Sequence, residues 1–210
     1  MDLQLRERLI EIARMLVDQQ RAQVLVEPRA REQGFWFGGG NLALAPDGAV
    51  WLVGRYRNGG DSRVGIEAGP RGAELALLRS GDGGRSFEPA FSFLKQDLAP
   101  EGEEVLSIEG ASLHVGKGGV ELYVSSEKAR SYPDGVRDAQ KAGTGVWSID
   151  VLCAPSVEEL PEAEPRPALK SDLPCWLHLK DPVVFDRDGR RTMLVCSHPF
   201  SWSSTNTCLL

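Results

Sequence analysis

The sequence predicts an all-β protein made of repeated four-stranded antiparallel sheets and led by one helix. Three observations carry that prediction. From Gly34 onward, short apolar runs are punctuated by Gly, Asp and Pro with little helical periodicity. Three segments then repeat one pattern: NLALAPDGAVWLVGRYR from Asn41, EGASLHVGKGGVELYVSSEK from Glu109 and DPVVFDRDGRRTMLVCSH from Asp181. Each reads as a strand, a turn at Asp47-Gly48, Gly118-Gly119 or Asp188-Gly189, and a second apolar strand, which is the signature of a β-hairpin. The hairpins begin about seventy residues apart, and internal repetition of this kind marks solenoids, propellers and arrays.

Each interval leaves room for two more strands. ELALLRS and FEPAFSFLK follow the first hairpin; GVWSIDVLCA and the proline-rich PSVEELPEAEPRPALKSDL follow the second. Four antiparallel strands per repeated unit is the plan of a β-propeller. The expected organisation is a helix and linker over 1–30 and an incomplete propeller over 31–210, with blade 1 at about 35–97, blade 2 at about 105–173 and part of blade 3 at about 176–210. The third unit stops at TNTCLL, where its third strand should begin. Propellers have about four to eight blades. The chain therefore reads as the N-terminal portion of a longer protein, or as one whose missing blades come from elsewhere. Uncovered blade edges would favour self-association.

Ahead of the repeats, Leu5, Leu9, Ile12 and Leu16 recur at helical spacing, so one amphipathic helix is expected over residues 2–20, docked on the side of the β-sheets. Charges interrupt this stretch every few residues, leaving neither a secretory apolar core nor a membrane span. The chain reads as cytoplasmic. A net charge of -6 argues against nucleic acid or an anionic membrane as the main partner. Cys153, Cys175, Cys196 and Cys208 form no CxxC pair and no zinc spacing, and are expected as small buried apolar residues. No metal or cofactor site is expected.

RSGDGGRSF, from Arg79 to Phe87, is dense in Gly, Ser and Asp. One carboxylate cannot supply the several oxygens that calcium takes. The stretch also lacks the lysine and following helix of a phosphate loop. Ser80, Asp82, Gly84, Ser86 and Phe87 instead fit Ser-x-Asp-x-Gly-x-(Ser/Thr)-(Phe/Trp), the Asp-box found between the third and fourth strands of blades in sialidases and other BNR-repeat propellers. With the LALAPDGAVWLVGRYRNGGDSR upstream, it resembles a first sialidase blade. That resemblance implies Asp61 as an acid/base aspartate and Arg55 or Arg57 as binders of a substrate carboxylate. Where sialidases carry a leading Arg-Ile-Pro, this chain has Phe37-Gly38-Gly39-Gly40-Asn41, which takes sialic acid away as the expected substrate.

IEGASL and LKDPVVF resemble a second group, the five-bladed propeller glycosidases of the arabinanase, xylosidase and invertase type, in which the innermost strand of successive blades opens on an acidic residue facing the central funnel. This resemblance implies Glu109 as general acid, Asp181 as the orienting or pKa-setting carboxylate, and Asn41 at the first-blade position where the family keeps a base aspartate. Paired carboxylates are what glycoside hydrolysis requires. Asparagine cannot act as a base, so Asp61 is the expected replacement. Trp36 and Trp176 are expected at the mouth as sugar-stacking faces, with His178, Lys180 and His198 as further funnel candidates; Trp51, Trp147 and Trp202 are expected to pack between blades. The function implied is cleavage of a glycosidic bond without a cofactor. The alternatives are a carbohydrate-binding propeller without catalysis and a protein-interaction propeller.

Overall fold

The computed structural model describes residues 2–16, 18, 20–59, 71–198 and 205–210. Asp61 and Trp202 lie outside them. The chain is built of antiparallel β-sheets behind one α-helix. The first sheet comprises β1 (Trp36–Gly38), β2 (Leu42–Leu44), β3 (Val50–Arg57), β4 (Glu74–Ser80) and β5 (Glu88–Leu94). Both β1 and β2 pair with β3, so they are two halves of one interrupted inner strand, and the order outward is β3, β4, β5. The second sheet runs β6 (Val105–Gly116), β7 (Gly119–Lys128), β8 (Val146–Ala154) and β9 (Arg166–Leu169) in sequence order. The third holds β10 (Lys180–Arg187), β11 (Arg190–Ser197) and β12 (Asn206–Leu209). Among the described residues, these are blades of a propeller, two with four strand positions and one with three.

Strand periodicity explains how the blades stack. Alternate residues of a strand share a face, so Val120, Leu122 and Val124 of β7 and Leu113 of β6 join Trp51, Val53, Leu75 and Leu77 in the core between blades 1 and 2. Ile149, Leu179, Val184, Met193 and Val195 form the smaller core between blades 2 and 3. Side chains also tie neighbouring inner strands. Asn41 donates from Nδ2 to the Leu113 carbonyl (2.9 Å) and accepts from Leu113 N at 2.8 Å, while Ser112 Oγ accepts from Val184 N at 3.0 Å.

The turn after β4 shows why Asp82 is there. Its Oδ1 accepts from the backbone N–H groups of Arg85 (2.9 Å) and Ser86 (3.0 Å), its Oδ2 accepts from Ser86 Oγ, and Ser80 Oγ closes the turn onto Gly84 N. Hydrogen bonds from Ser80 and Ser86 hold the carboxyl well below the usual aspartate range. Asp82→Ala is therefore expected to lower the thermal midpoint at neutral pH. A depressed folded-state pKa contributes stability that is present above the unfolded value and is lost as pH falls through the folded one. The two proteins' midpoints should thus converge in acid; a gap that stays constant with pH would show that the carboxylate is not the cause.

Two expectations are corrected. The helix α1 (Leu3–Leu16) is shorter than predicted, and none of its residues is buried. Its apolar stripe includes Leu9 and Ile12, each about half exposed, so it does not dock on the blades. The cysteines are all free, but Cys153 and Cys175 are exposed and only Cys196 and Cys208 are partly buried. Cys153 lies near the end of β8, just past the buried run 146–152, and Cys175 lies in the loop ahead of β10, before the buried run 177–179. Among the described residues, no helix is long and apolar enough to cross a membrane.

Candidate functional site

The expected carboxylates stand on neighbouring strands: Asp181 is the second residue of β10, but Glu109 is the fifth of β6, inside the strand and not at the head that the sequence suggested. Both strands are irregular there. The β6–β7 register shifts between Ile108 and Ala111, and the β10–β11 register shifts between Lys180 and Val183. Such bulges turn a side chain out of the regular alternation and are common beside active sites. Glu109 stands on the first and Asp181 on the second. Asp181 has a left-handed backbone (φ 51), as does His178 (φ 52). Its carboxylate lies against Gly110, where an added Cβ would meet Asp181 Oδ1 at 2.5 Å and Cα at 2.9 Å.

Cations separate the two acids. Arg55, near the end of β3, places Nη1 at 2.6 Å from Glu109 Oε2 and donates from the same nitrogen to the Ile108 carbonyl (2.6 Å). Ser107 Oγ donates to Glu109 Oε1 at 3.1 Å. Burial pushes the Glu109 carboxyl up, but the charges of Arg55 and Lys180 and the hydrogen bonds from Arg55 and Ser107 outweigh it, so its pKa lies below the ordinary glutamate value. Asp181 is exposed as a residue, yet the protein packed around its carboxyl displaces water and pushes its pKa up. The nearby Glu109 charge adds to that rise, and Arg55 and Lys180 offset only part of it. Lys180 packs its ammonium 4.0 Å from the centre of the Trp147 ring. Burial lowers its pKa, against the pull of Glu109, Asp181 and Glu127. Trp36 is 36% exposed beside this cluster, with the Arg55 guanidinium 5.1 Å from its ring centre. The site thus offers an ionised carboxylate, a second carboxylate inclined to hold its proton, two cations and one open aromatic face.

Other expected residues lie elsewhere. Asn41 is spent on Leu113, two residues beyond Ala111 along β6, and Ala111 itself bonds to the Gly39 carbonyl. The first-blade position level with Glu109 is therefore in the Gly38–Gly39 stretch, which has no side chain, and Arg55, paired opposite Gly38, fills the space. Arg57 pairs opposite Trp36 and makes no described contact with Glu109 or Asp181. Trp176 packs against the apolar cluster between blades 2 and 3 instead of standing at the mouth. His178 is fully buried among Tyr132, Trp147 and His198. Its Nε2 donates to the Ala139 carbonyl, and burial pulls its pKa down to about 4, so it is a neutral structural side chain. Trp147 is buried, as expected, but its ring also supports Lys180.

Sequence reasoning missed the other end of the adjoining strand. Ser125, Ser126, Glu127 and Lys128, the last residues of β7, are all fully buried beside the head of β6. Glu127 accepts from Arg71 Nη2 (2.8 Å) and from Gly145 N (2.8 Å). Lys128 pairs with Asp150 of β8. The available signal was the run SSEK, polar at every position of an otherwise alternating strand.

No family model and no curated protein matches the chain. Solved structures do. An exo-1,5-alpha-L-arabinanase from a bovine ruminal metagenomic library matches with a TM-score of 0.57 at 12% identity, over 88% of this chain and 56% of that one. CoXyl43, a GH43 beta-xylosidase/alpha-arabinofuranosidase from a compost microbial metagenome, crystallised with xylotriose, gives 0.54 at 13%, over 82% and 46%. The GH43_1 enzyme from Xanthomonas citri, also with xylotriose, gives 0.52 at 18%, over 80% and 42%. The chain spans about half the length of these structures. At such identities the likeness defines the fold, that of a β-propeller similar to those of glycoside hydrolases.

Proposed function

We propose that this chain contributes the acid side of a glycosidase funnel, with Asp181 and Glu109 as the working pair acting on a carbohydrate. The observation that carries the reading is that two carboxylates on bulges of adjacent inner strands have surroundings that push their pKa values in opposite directions. Such divergence separates a proton donor from an ionised partner. The assignment reverses the roles expected from sequence. A general acid must hold its proton at working pH, and Asp181 is the group whose surroundings favour that. In the proposed step Asp181 gives its proton to the glycosidic oxygen as the C–O bond breaks. Glu109 stays ionised and stabilises the positive charge that develops on the sugar. Water adds to the sugar carbon, losing its proton to a base, for which Asp61 remains the residue suggested by sequence. The fold likeness to arabinanases and xylosidases supports the carbohydrate as ligand class, and Trp36 supplies a stacking face.

The test is turnover of a panel of aryl glycosides by the full chain. Asp181→Asn and Glu109→Gln should each reduce kcat/KM by about a hundredfold or more. Activity should fall as pH rises through the raised Asp181 pKa, because the donor loses its proton, and should fall again in acid as Glu109 becomes protonated. Undiminished turnover in either variant would remove that residue from the mechanism. A second reading, sugar binding without cleavage, draws on the glycines that replace a side chain at the funnel level of blade 1 and on the tight engagement of Glu109 by Arg55. It requires sugar affinity that survives Glu109→Gln, with no turnover in any form.

A further inference from the structure

Two bulges in different blades each leave an amide outside the regular ladder, and a single hydroxyl serves both. Ser125 of β7 is fully buried. Its Oγ accepts from Gly110 N at 3.0 Å and from Asp181 N at 3.2 Å, and donates to the Gly110 carbonyl at 3.1 Å. A serine hydroxyl has one donor and two acceptor positions, and Ser125 uses all of them here. Gly110 comes directly after Glu109, and Asp181 carries the other carboxylate. The Ser125 hydroxyl is therefore one bond from the backbone on each side of the pair, joining the two bulges.

We propose that Ser125 is the positioning residue of the carboxylate pair, fixing Asp181 against Gly110 so that the bulges of β6 and β10 keep one separation and one orientation. The inference rests on reading Glu109 and Asp181 as the working pair. Asp181 needs such a tie. Its left-handed backbone is a conformation a non-glycine residue holds only when its surroundings impose it, and its N–H is directed to Ser125 rather than into the β10–β11 ladder. Released from that bond, the residue can relax outward, away from the groups that crowd its carboxyl. These are Glu109 on β6, Arg55 on β3, Lys180 on its own strand and Cys196 on β11.

The experiment compares the full chain with Ser125→Ala and Ser125→Thr by amide hydrogen exchange and by carbon-13 titration of the Asp181 carboxyl, assigned with Asp181→Asn. Ser125→Ala should speed exchange of the Asp181 amide by on the order of tenfold, the loss of one hydrogen bond. It should also move the Asp181 midpoint down toward the ordinary aspartate value, as the carboxyl regains water. Ser125→Thr keeps the oxygen and should preserve both properties. Unchanged exchange and titration in a folded Ser125→Ala, or loss of both in a folded Ser125→Thr, would overturn the proposal. If Ser125→Ala does not fold, the parent protein decides: an Asp181 amide that exchanges as fast as an exposed loop amide rules the tie out, and a protected one retained in Ser125→Thr supports it. None of these measurements requires turnover. A protein inert on every glycoside would thus defeat the proposed reaction while leaving the positioning role intact.

Discussion

Lys128→Met is expected to destabilise the fold by about 3–5 kcal/mol, the cost of removing one partner from a buried ion pair. The Lys128 side chain is fully buried and that of Asp150 nearly so, at 3% exposure. The other carboxylate near Lys128 is that of Glu103, 3.9 Å away, which also takes an ion pair from Arg130 at 3.4 Å. Burial already pushes the Asp150 carboxyl above its ordinary range despite the attraction of Lys128. Without the lysine, Asp150 must either remain charged with only the more weakly acting Arg130 charge to offset it or take up a proton. A raised folded-state pKa favours the fold at low pH, and the advantage is lost as pH rises through that value, so the penalty of Lys128→Met should shrink in mild acid. Equilibrium denaturation at neutral and acid pH measures it. Replacing both partners, Lys128→Met with Asp150→Leu, should recover most of the loss, because two apolar side chains leave no charge stranded. A double variant as unstable as the single one would mean that packing rather than charge sets the cost. The pair anchors the end of β7 three residues from Ser125, which links its stability to the geometry of the site.

The blades are legible in the sequence because hairpins write themselves locally. Asp47-Gly48 and Asp188-Gly189 name their turns, and the alternation of Val120, Leu122 and Val124 names the buried face. Asp82 is legible for the same reason, since all its partners lie within four residues. Glu109 and Asp181 are visible as acidic residues beside Gly and Pro, although β6 begins four residues before Glu109. Features that depend on bulges and on contacts between blades are not visible in this way. Counting from one hairpin to the next puts Asn41 level with Glu109, but the contacts between the blades bring Asn41 to Leu113 and Gly39 to Ala111, and the level position falls among glycines. Trp176 and His178 look like mouth residues because they precede β10, yet the chain before that strand turns inward through the left-handed His178 and buries its ring. The lowered pKa of Glu109 depends on Arg55, more than fifty residues before it, and the raised one of Asp181 on burial and on the Glu109 charge, and only the meeting of the blades brings these groups together.

Gly110→Ala should separate the site from the fold most cleanly. The new Cβ would lie 2.5 Å from Asp181 Oδ1, 2.9 Å from its Cα and 3.4 Å from its Cγ. Rotating the Asp181 side chain relieves the first and third contacts but not the second, which is to backbone. That backbone is held by Ser125 on one side and by Pro182 on the other, so β10 itself must move away from β6 by several tenths of an ångström. Overpacking of this kind costs about 1–3 kcal/mol, which a protein of this size can absorb and remain folded. On the proposed reading the site cannot absorb it equally, since misplacing a catalytic group by about one ångström can cost about a hundredfold in rate. Gly110→Ala should therefore keep a cooperative thermal transition while kcat on any cleaved glycoside falls by about ten- to a hundredfold, with a smaller change in KM, because Trp36 and the blade 1 side of the funnel are untouched. Gly118→Ala is the control. It lies in the hairpin turn of the same blade, where an added Cβ meets nothing within 4 Å, and it should leave both stability and rate near those of the parent. If the two variants behave alike, the contact between Gly110 and Asp181 has no part in holding the carboxylates, and the close approach of the two strands is only a matter of packing.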